Sequence, residues 1–286
     1  MHAETNNSYA ESVMLGLLSL DGSTDLSIRL ARFPSKNKAE IWIHLATPEG
    51  AWSLVDDSFQ LTTNLVTEVT NNEVSFSASR TGQHIQFHST ARDSKSMRGQ
   101  ISGQLLLVNT RHPINEQGSI PFSFDLAFSA SSEGFRSKSN RWELTGLVQG
   151  IVKINGEEMS LSESGKWHEQ VGNRPKFAPA FTYLNLQNDA LSLLAIKLEK
   201  RSVGYVRLNG KLTSIENFTI EAHGDNEHQF HISFDGGKSI SGVTSEAQQW
   251  SVPIEGVTRP GSSVLVNSNF GTMTGTLNKW HPKPKQ

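Results

Sequence analysis

An all-β protein is the fold class this sequence predicts, and three observations carry the prediction. Apolar residues recur at every second position in many short stretches, pairs such as Asn-Gly and Asp-Gly separate those stretches, and no long segment places apolar residues at helical spacing. Period two is the repeat of an extended strand, whose side chains point alternately to its two faces. Many short strands with frequent turns and little helix fold as a β-sandwich or barrel.

Taken in order, Ser12 to Leu30 is apolar on either side of a turn at Asp21-Gly22, and Ala39 to Leu45 interleaves Ile41 and Ile43 with Trp42 and His44. Strands with both sides occupied suit a sheet covered on both faces. Ser53 to Asp56 follows a Pro48-Glu49-Gly50 turn. Val74, Phe76 and Ala78 alternate with serines, Gln83 to His88 carries Ile85 and Phe87, and Ile101 to Val108 is a longer apolar run. Thr81-Gly82 and a charged bend from Arg92 to Gly99 separate these stretches. Phe122, Phe124, Leu126 and Phe128 then form a strict period-two face opposite Ser123, Asp125 and Ala127.

From Ser129 to Asn140 the chain reads SASSEGFRSKSN, small and polar without periodicity. It is the expected boundary between an N-terminal β domain, 1–137, and a C-terminal one, 138–286. The second half gives strands at Trp142 to Ile154, Phe181 to Gln187, Leu191 to Leu198, Val203 to Leu208, Phe218 to Ala222, Phe230 to Phe234, Trp250 to Ile254 and Val264 to Leu277. Asn155-Gly156 and Asn209-Gly210 predict tight hairpins, because both residue types tolerate the positive φ of a type I′ turn. Leu191, Leu194, Ile196 and Leu198 fit helix and strand almost equally, and the hairpin context selects strand.

Composition excludes several classes of function. A net charge of -2 with both signs interspersed lacks the basic stripe of a nucleic-acid binder. The absence of cysteine removes disulfides, thiolate zinc sites and cysteine nucleophiles. No phosphate-binding glycine loop, G-x-S-x-G elbow or H-E-x-x-H is present, and no cofactor is expected. His84 and His88 would share a metal on a helix, but in a strand they stand roughly 13 Å apart, so no metal site is expected. His223, His228 and His231 flank a charged loop and read as solvated surface. The opening MHAETNNSYAES has no signal-peptide pattern and no apolar run spans a bilayer, so a cytoplasmic protein without an integral membrane segment is expected.

Chemistry concentrates between Arg141 and Gln187. Glu143, between Trp142 and Leu144, shares a strand face with Arg141 and Thr145. Facing inward, it would be paired or protonated, and a protonated carboxyl is a general acid; facing outward, it would pair with Arg141. His168 and Glu169 are adjacent and face opposite ways in a regular strand. His168 is then the acid-base candidate, and Glu169 supports structure. Phe181, Tyr183, Asn185 and Gln187 fall on one side, opposite Leu184 and Leu186, as an aromatic and amide-bearing wall for a ligand. Tyr183 and Asn185 would orient its polar end, while Trp142, Trp167 and Phe181 would enclose an apolar body, against the alternative that these aromatics are core.

The chain resembles the lipocalin-like family of hydroxyneurosporene synthase (carotenoid 1,2-hydratase), the AttH-like proteins and the fungal decalin-forming Diels-Alderases. The resemblance rests on ESVMLGLLSLDGSTDLSIRLARFPSKNKAEIWIHLATPEG near the start, RWELTGLVQGIVKINGEE in the middle, GKWHEQVGNR after it, and SNFGTMTGTLNKW near the end. GKWHEQVGNR is similar to a family motif written G-x-x-D-H-x-W-G-x-R. Gly165, Gly172 and Arg174 match it, His168 stands where the family has aspartate, Glu169 where it has histidine, and Val171 where it has tryptophan. The acid and the imidazole have exchanged places. The resemblance implies two consecutive lipocalin-like antiparallel β-barrel domains and a cofactor-independent enzyme acting on a hydrophobic terpenoid or polyketide by cyclisation, isomerisation or hydration of a double bond. It adds Arg174 and Glu169 to the substrate-binding candidates. On these grounds Glu143, His168 and Tyr183 are the expected catalytic residues. The competing expectations are a non-catalytic carrier of a hydrophobic ligand and a filled structural module without a cavity.

Overall fold

The computed structural model describes residues 9–62, 73–92, 96–110, 118–136, 141–173, 180–254 and 257–280. By contact the chain divides into two compact units, Met1–Leu17 with Leu26–Lys176, and Leu18–Asp25 with Phe177–Gln286. Arg174 lies outside the described residues. Among the described residues, no helix is long and apolar enough to cross a membrane.

The first unit is built on β1 (Tyr9–Leu18), β2 (Asp25–Phe33), β3 (Lys38–Ala46), β4 (Ala51–Leu61), β5 (Val74–Arg80), β6 (Gln83–Thr90), β7 (Arg98–Asn109), β8 (Ser119–Ala130), the short β9 (Phe135–Arg136), β10 (Arg141–Ile154) and β11 (Glu157–Asn173). Each strand from β1 to β8 pairs with the next, β8 pairs with β10, and β11 closes the ring by pairing with both β10 and β1. Period-two residues turn inward: Phe122, Phe124, Leu126 and Phe128 are all buried, as are Val13, Leu15 and Leu17 across the interior. Each such side chain contributes about 1.5–3 kcal/mol relative to exposure, which offsets the entropy of ordering the strands.

The expected division at 137/138 is corrected by this pairing. Gly146 to Ile154 of β10 bond to Ala130 to Phe122 of β8, so SASSEGFRSKSN joins two strands of one barrel. A polar, aperiodic stretch marks a loop, and loops occur within domains as well as between them. The sequence reading also missed β11 as a strand, because Lys166, His168, Glu169 and Gln170 interrupt its apolar alternation.

The second unit is a closed barrel of β12 (Phe181–Gln187), β13 (Leu191–Leu198), β14 (Ser202–Leu208), β15 (Lys211–Gly224), β16 (Glu227–Phe234), β17 (Lys238–Ile254), β18 (Val257–Ser268) and β19 (Gly271–Trp280), in sequence order. β12 pairs with β19 to close it. The run read as Val264 to Leu277 is two strands, β18 and β19, paired from Ser268↔Gly271 onward. β17 begins twelve residues before Trp250, since its leading part is rich in Ser, Gly and Gln. Both Asn-Gly turns form as expected: Asn155 (φ 51) with Gly156 (φ 88), and Asn209 (φ 49) with Gly210 (φ 79).

Candidate functional site

The antiparallel register of β10 and β11 decides which side chains meet. Glu143 pairs with His168, Thr145 with Lys166, and Arg141 with Gln170. Alternation sends Glu143, Arg141, Lys166 and His168 to the face opposite the barrel interior, while Trp142, Leu144, Trp167 and Glu169 point in. Glu143, Lys166 and His168 are nonetheless buried. Buried charge on an outer strand face is uncommon, because ionised groups are seldom withdrawn from water without partners.

Arg141 supplies one such partner. Its Nε donates to Glu143 Oε1 at 2.6 Å, and its guanidinium also ion-pairs with that oxygen. Burial pushes the Glu143 carboxyl up, but the charges of Arg141 and Lys166 and the Arg141 hydrogen bond outweigh it and hold the group below the usual carboxylate range. Of the alternatives open from sequence, the outward, Arg141-paired carboxylate is the one found. The same charges oppose a protonated Glu143.

His168 is driven the other way. Burial, then the charges of Arg141, Lys166 and Arg29, lower its pKa well below the ordinary value, with only Glu143 opposing. It is a neutral imidazole at physiological pH. Glu143 Oε2 and His168 Nε2 are both buried and have no hydrogen-bond partner among the described residues. Further along the same outer side, Arg29 on β2 stacks over the Trp42 ring at 4.4 Å, and buried His44 lies two residues on from Trp42. Arg29, Lys166 and His44 escaped the sequence reading. The available signal was a cationic or imidazole residue inside an apolar run, as in SIRLARF and IWIHL.

On the inner face, Trp167 is core. Its ring lies 5.7 Å from Phe87 in a T-shape and 5.8 Å from Phe128, and Gly99 leaves it room: a Cβ there would come within 2.3 Å of the ring. Its Nε1 donates to Glu169 Oε1 at 2.9 Å, and Glu169 ion-pairs with Arg92. Trp142 is also buried inward, flanked by the guanidinium groups of Arg92 at 5.5 Å and Arg136 at 4.6 Å. Trp142, Trp167 and Glu169 are therefore on the opposite side of the sheet from Glu143 and His168. The His168-Glu169 pair diverges as strand alternation requires. Trp142 and Trp167 as enclosing walls beside Glu143 are corrected to core packing, for which β-strand parity is the reason.

In the second unit, Phe181, Tyr183, Asn185 and Gln187 share the outer face of β12, half-buried, with Thr182, Leu184 and Leu186 buried behind them. Phe181 stacks on Trp280, with ring centroids 6.5 Å apart, and Tyr183 pairs in register with Asn278. Among the described residues, no group of three or more His, Asp or Glu is placed to hold a metal ion. His228, read as solvated surface, is instead largely buried.

Two consecutive antiparallel barrels of this kind define a lipocalin-like double-barrel protein, the fold implied by the sequence resemblance. Solved structures share it. CghA in complex with Sch210972 aligns at a TM-score of 0.69 and 10% identity, over 96% of this chain and 88% of that one. An AttH-like protein from Nitrosomonas europaea aligns at 0.62 and 8% identity, over 97% and 94%, and kievitone hydratase from Nectria haematococca at 0.55 and 11% identity, over 96% and 90%. No family model matches the sequence, and no curated protein is matched by sequence comparison.

Proposed function

We propose that this protein is a cofactor-independent enzyme that binds a hydrophobic small molecule and promotes its cyclisation or isomerisation, or the hydration of a double bond, at the outer face of β10 and β11. The observation that carries the reading is the pair of buried polar atoms, Glu143 Oε2 and His168 Nε2, on register-paired residues and without a hydrogen-bond partner among the described residues. Leaving a buried polar atom unsatisfied costs about 1–3 kcal/mol, more for a charged group, and such groups concentrate where a ligand or water completes them. Two structural neighbours support the class, one carrying a bound small molecule and one named a hydratase.

The electrostatics select among mechanisms. Glu143 is held ionised, so it orients and balances charge and does not donate a proton. A neutral His168 can donate Nε2–H to a carbonyl oxygen. Arg141, Lys166 and Arg29, three cations whose charges reach the imidazole, then favour negative charge developing on that oxygen. Polarising a carbonyl conjugated to a polyene accelerates ring closure or isomerisation, and holding the chain folded for reaction contributes part of the roughly 7–11 kcal/mol available from proximity.

One observation favours the carrier alternative: neither Glu143 nor His168 titrates near neutrality, as a passive binding face requires. A single experiment separates the two. The protein is incubated with an organic extract of the cells that produce it, and compounds are followed by mass spectrometry for wild type, Glu143→Gln and His168→Gln. The proposal expects one compound to be replaced by an isomer or by a product one water heavier, with His168→Gln slower by roughly 10²-fold or more. A ligand that is bound and recovered unchanged establishes the carrier, and unaltered turnover in both variants removes this face from the mechanism.

A further inference from the structure

At one mouth of the second barrel the interior changes from apolar to charged. On β19 the inward series Met273, Leu277 ends in Lys279, and on β16 the inward Phe230 and Ile232 are preceded by His228. Strands β16 and β19 are not neighbours, because β17 and β18 stand between them. Three strand spacings cover about 14 Å of sheet, so side chains from these strands meet only across the concave side. Lys279 Nζ nevertheless contacts His228 Nε2, and so the pair spans the lumen.

Glu246 of β17 completes the group. Its Oε1 lies 3.9 Å from His228 Nδ1 and 3.8 Å from Lys279 Nζ, while its Oε2 accepts from Gln249 Nε2 at 2.8 Å. The side chains of His228 and Glu246 are 12% and 11% exposed and that of Lys279 is 36% exposed, so solvent and solutes reach the amine first. Thr182, in register with both Lys279 and Lys197, lies at the same end of the barrel.

An amine with a base within reach of it makes the arrangement of an activated nucleophile. We propose that Lys279 is such a nucleophile, with His228 as its base and the Glu246 carboxylate balancing the charge that the imidazole takes up, and that it captures the aldehyde or ketone group of apolar molecules as a Schiff base. In this role the Nε2 lone pair faces Lys279, while Nδ1 makes no hydrogen bond among the described residues and has the Glu246 carboxylate 3.9 Å away. Burial, then the charge of Lys279, lowers His228 and keeps it neutral, and burial lowers Lys279 against the opposing charge of Glu246, which enlarges the fraction of free amine. The Nζ lone pair forms the C–N bond as the carbonyl π electrons move to oxygen; one Nζ proton passes through His228 Nε2 to the alkoxide, giving the neutral carbinolamine. The second Nζ proton passes by the same imidazole to the hydroxyl, which leaves as water as the nitrogen electrons form C=N. Amine and carbonyl give imine and water, with no oxidant or reductant. The inference concerns the second barrel alone and does not rest on the face of β10 and β11.

The test uses the full chain, hexanal as the probe, and cyanoborohydride to reduce each imine to a stable secondary amine, with the labelled lysines read by peptide mapping. At pH 7.5 Lys279 is expected to label about tenfold faster than Lys153 and Lys211, whose side chains are more exposed at 51% and 70%. His228→Gln, checked for an unchanged circular dichroism spectrum, should bring Lys279 down to their rate. Because a disturbed barrel would also slow labelling, the wild-type pH profile supplies an independent reading, in which Lys279 reaches half its maximal rate at a lower pH than Lys153. Equal rates for the three lysines, or coincident pH profiles, overturn the proposal; an unchanged rate in a folded His228→Gln protein overturns the role of the base.

Discussion

Glu143 and His168 stand opposite one another in the β10–β11 ladder, both buried, one held anionic by neighbouring cations and the other held neutral first by burial and then by cations that include the same Arg141 and Lys166. Removing the carboxylate takes from Arg141 its ion-pair partner beside the charge of Lys166. Breaking a buried pair by deleting one partner costs about 3–5 kcal/mol, and because the Arg141 side chain is 20% exposed the lower part of that range is expected for Glu143→Ala. The double variant Arg141→Met, Glu143→Ala should recover much of the loss. Urea unfolding of the four proteins in the cycle measures it, and additive effects would show that the pair is not coupled.

Acid sensitivity follows from the two buried imidazoles. Burial lowers His44 to about 3, and His168 is also lowered well below its ordinary value, chiefly by burial. For a histidine whose folded pKa is depressed, the unfolded chain binds the proton first, so stability is full above the unfolded value near 6.5 and falls as pH drops below it. Each imidazole that stays neutral contributes a slope approaching about 1.4 kcal/mol per pH unit. Melting temperature should therefore decline from pH 6.5 to 5, with a shallower decline in His44→Leu. Imidazole proton resonances of His44 and His168 that titrate near pH 6.5 in the folded protein would contradict this.

The fold was legible because period two and turn chemistry are local signals. Phe122 to Phe128 and both Asn-Gly hairpins are formed as their residues dictate. Two features needed partners that the sequence does not show. Whether SASSEGFRSKSN separates domains depends on what β10 pairs with, and that is fixed by β8, whose strand precedes the loop. Which aromatic is wall and which is core depends on strand parity against a closed ring: Trp167 and His168 are adjacent in sequence and lie on opposite faces. The sequence reading places Trp167 around the same ligand as His168, and alternation divides the two. Lys279 and His228 are 51 residues apart, and only barrel closure brings them together.

Gly99 and Trp167 make a contact that tolerates no added atom. A Cβ at position 99 would come within 2.3 Å of the indole, which is fully buried and packed against Phe87 and Phe128. The ring has no solvent side to move toward, so Gly99→Ala forces strain of about 1–3 kcal/mol into the core. The expected result is a lower urea midpoint with an unchanged m-value and altered tryptophan fluorescence. A midpoint equal to wild type would mean that the indole sits elsewhere.

Asp25 supplies the opposite pH dependence. Burial raises its carboxyl to about 7, opposed by the neighbouring Trp250 side chain, and Oδ2 has no hydrogen-bond partner among the described residues. Here the folded pKa lies above the unfolded value near 3.9, so the native state holds the proton longer. Stability contributed by this group is then lost as pH rises from about 4 through 7 and is level beyond. Asn at this position resembles the protonated carboxyl in size and carries no charge to desolvate. Asp25→Asn should match wild type near pH 4 and exceed it at pH 8 by on the order of 2–4 kcal/mol, read from urea unfolding at the two values. Equal stability of the two proteins at pH 8 would show that the carboxylate is solvated or paired, and would remove Asp25 from the account of pH dependence.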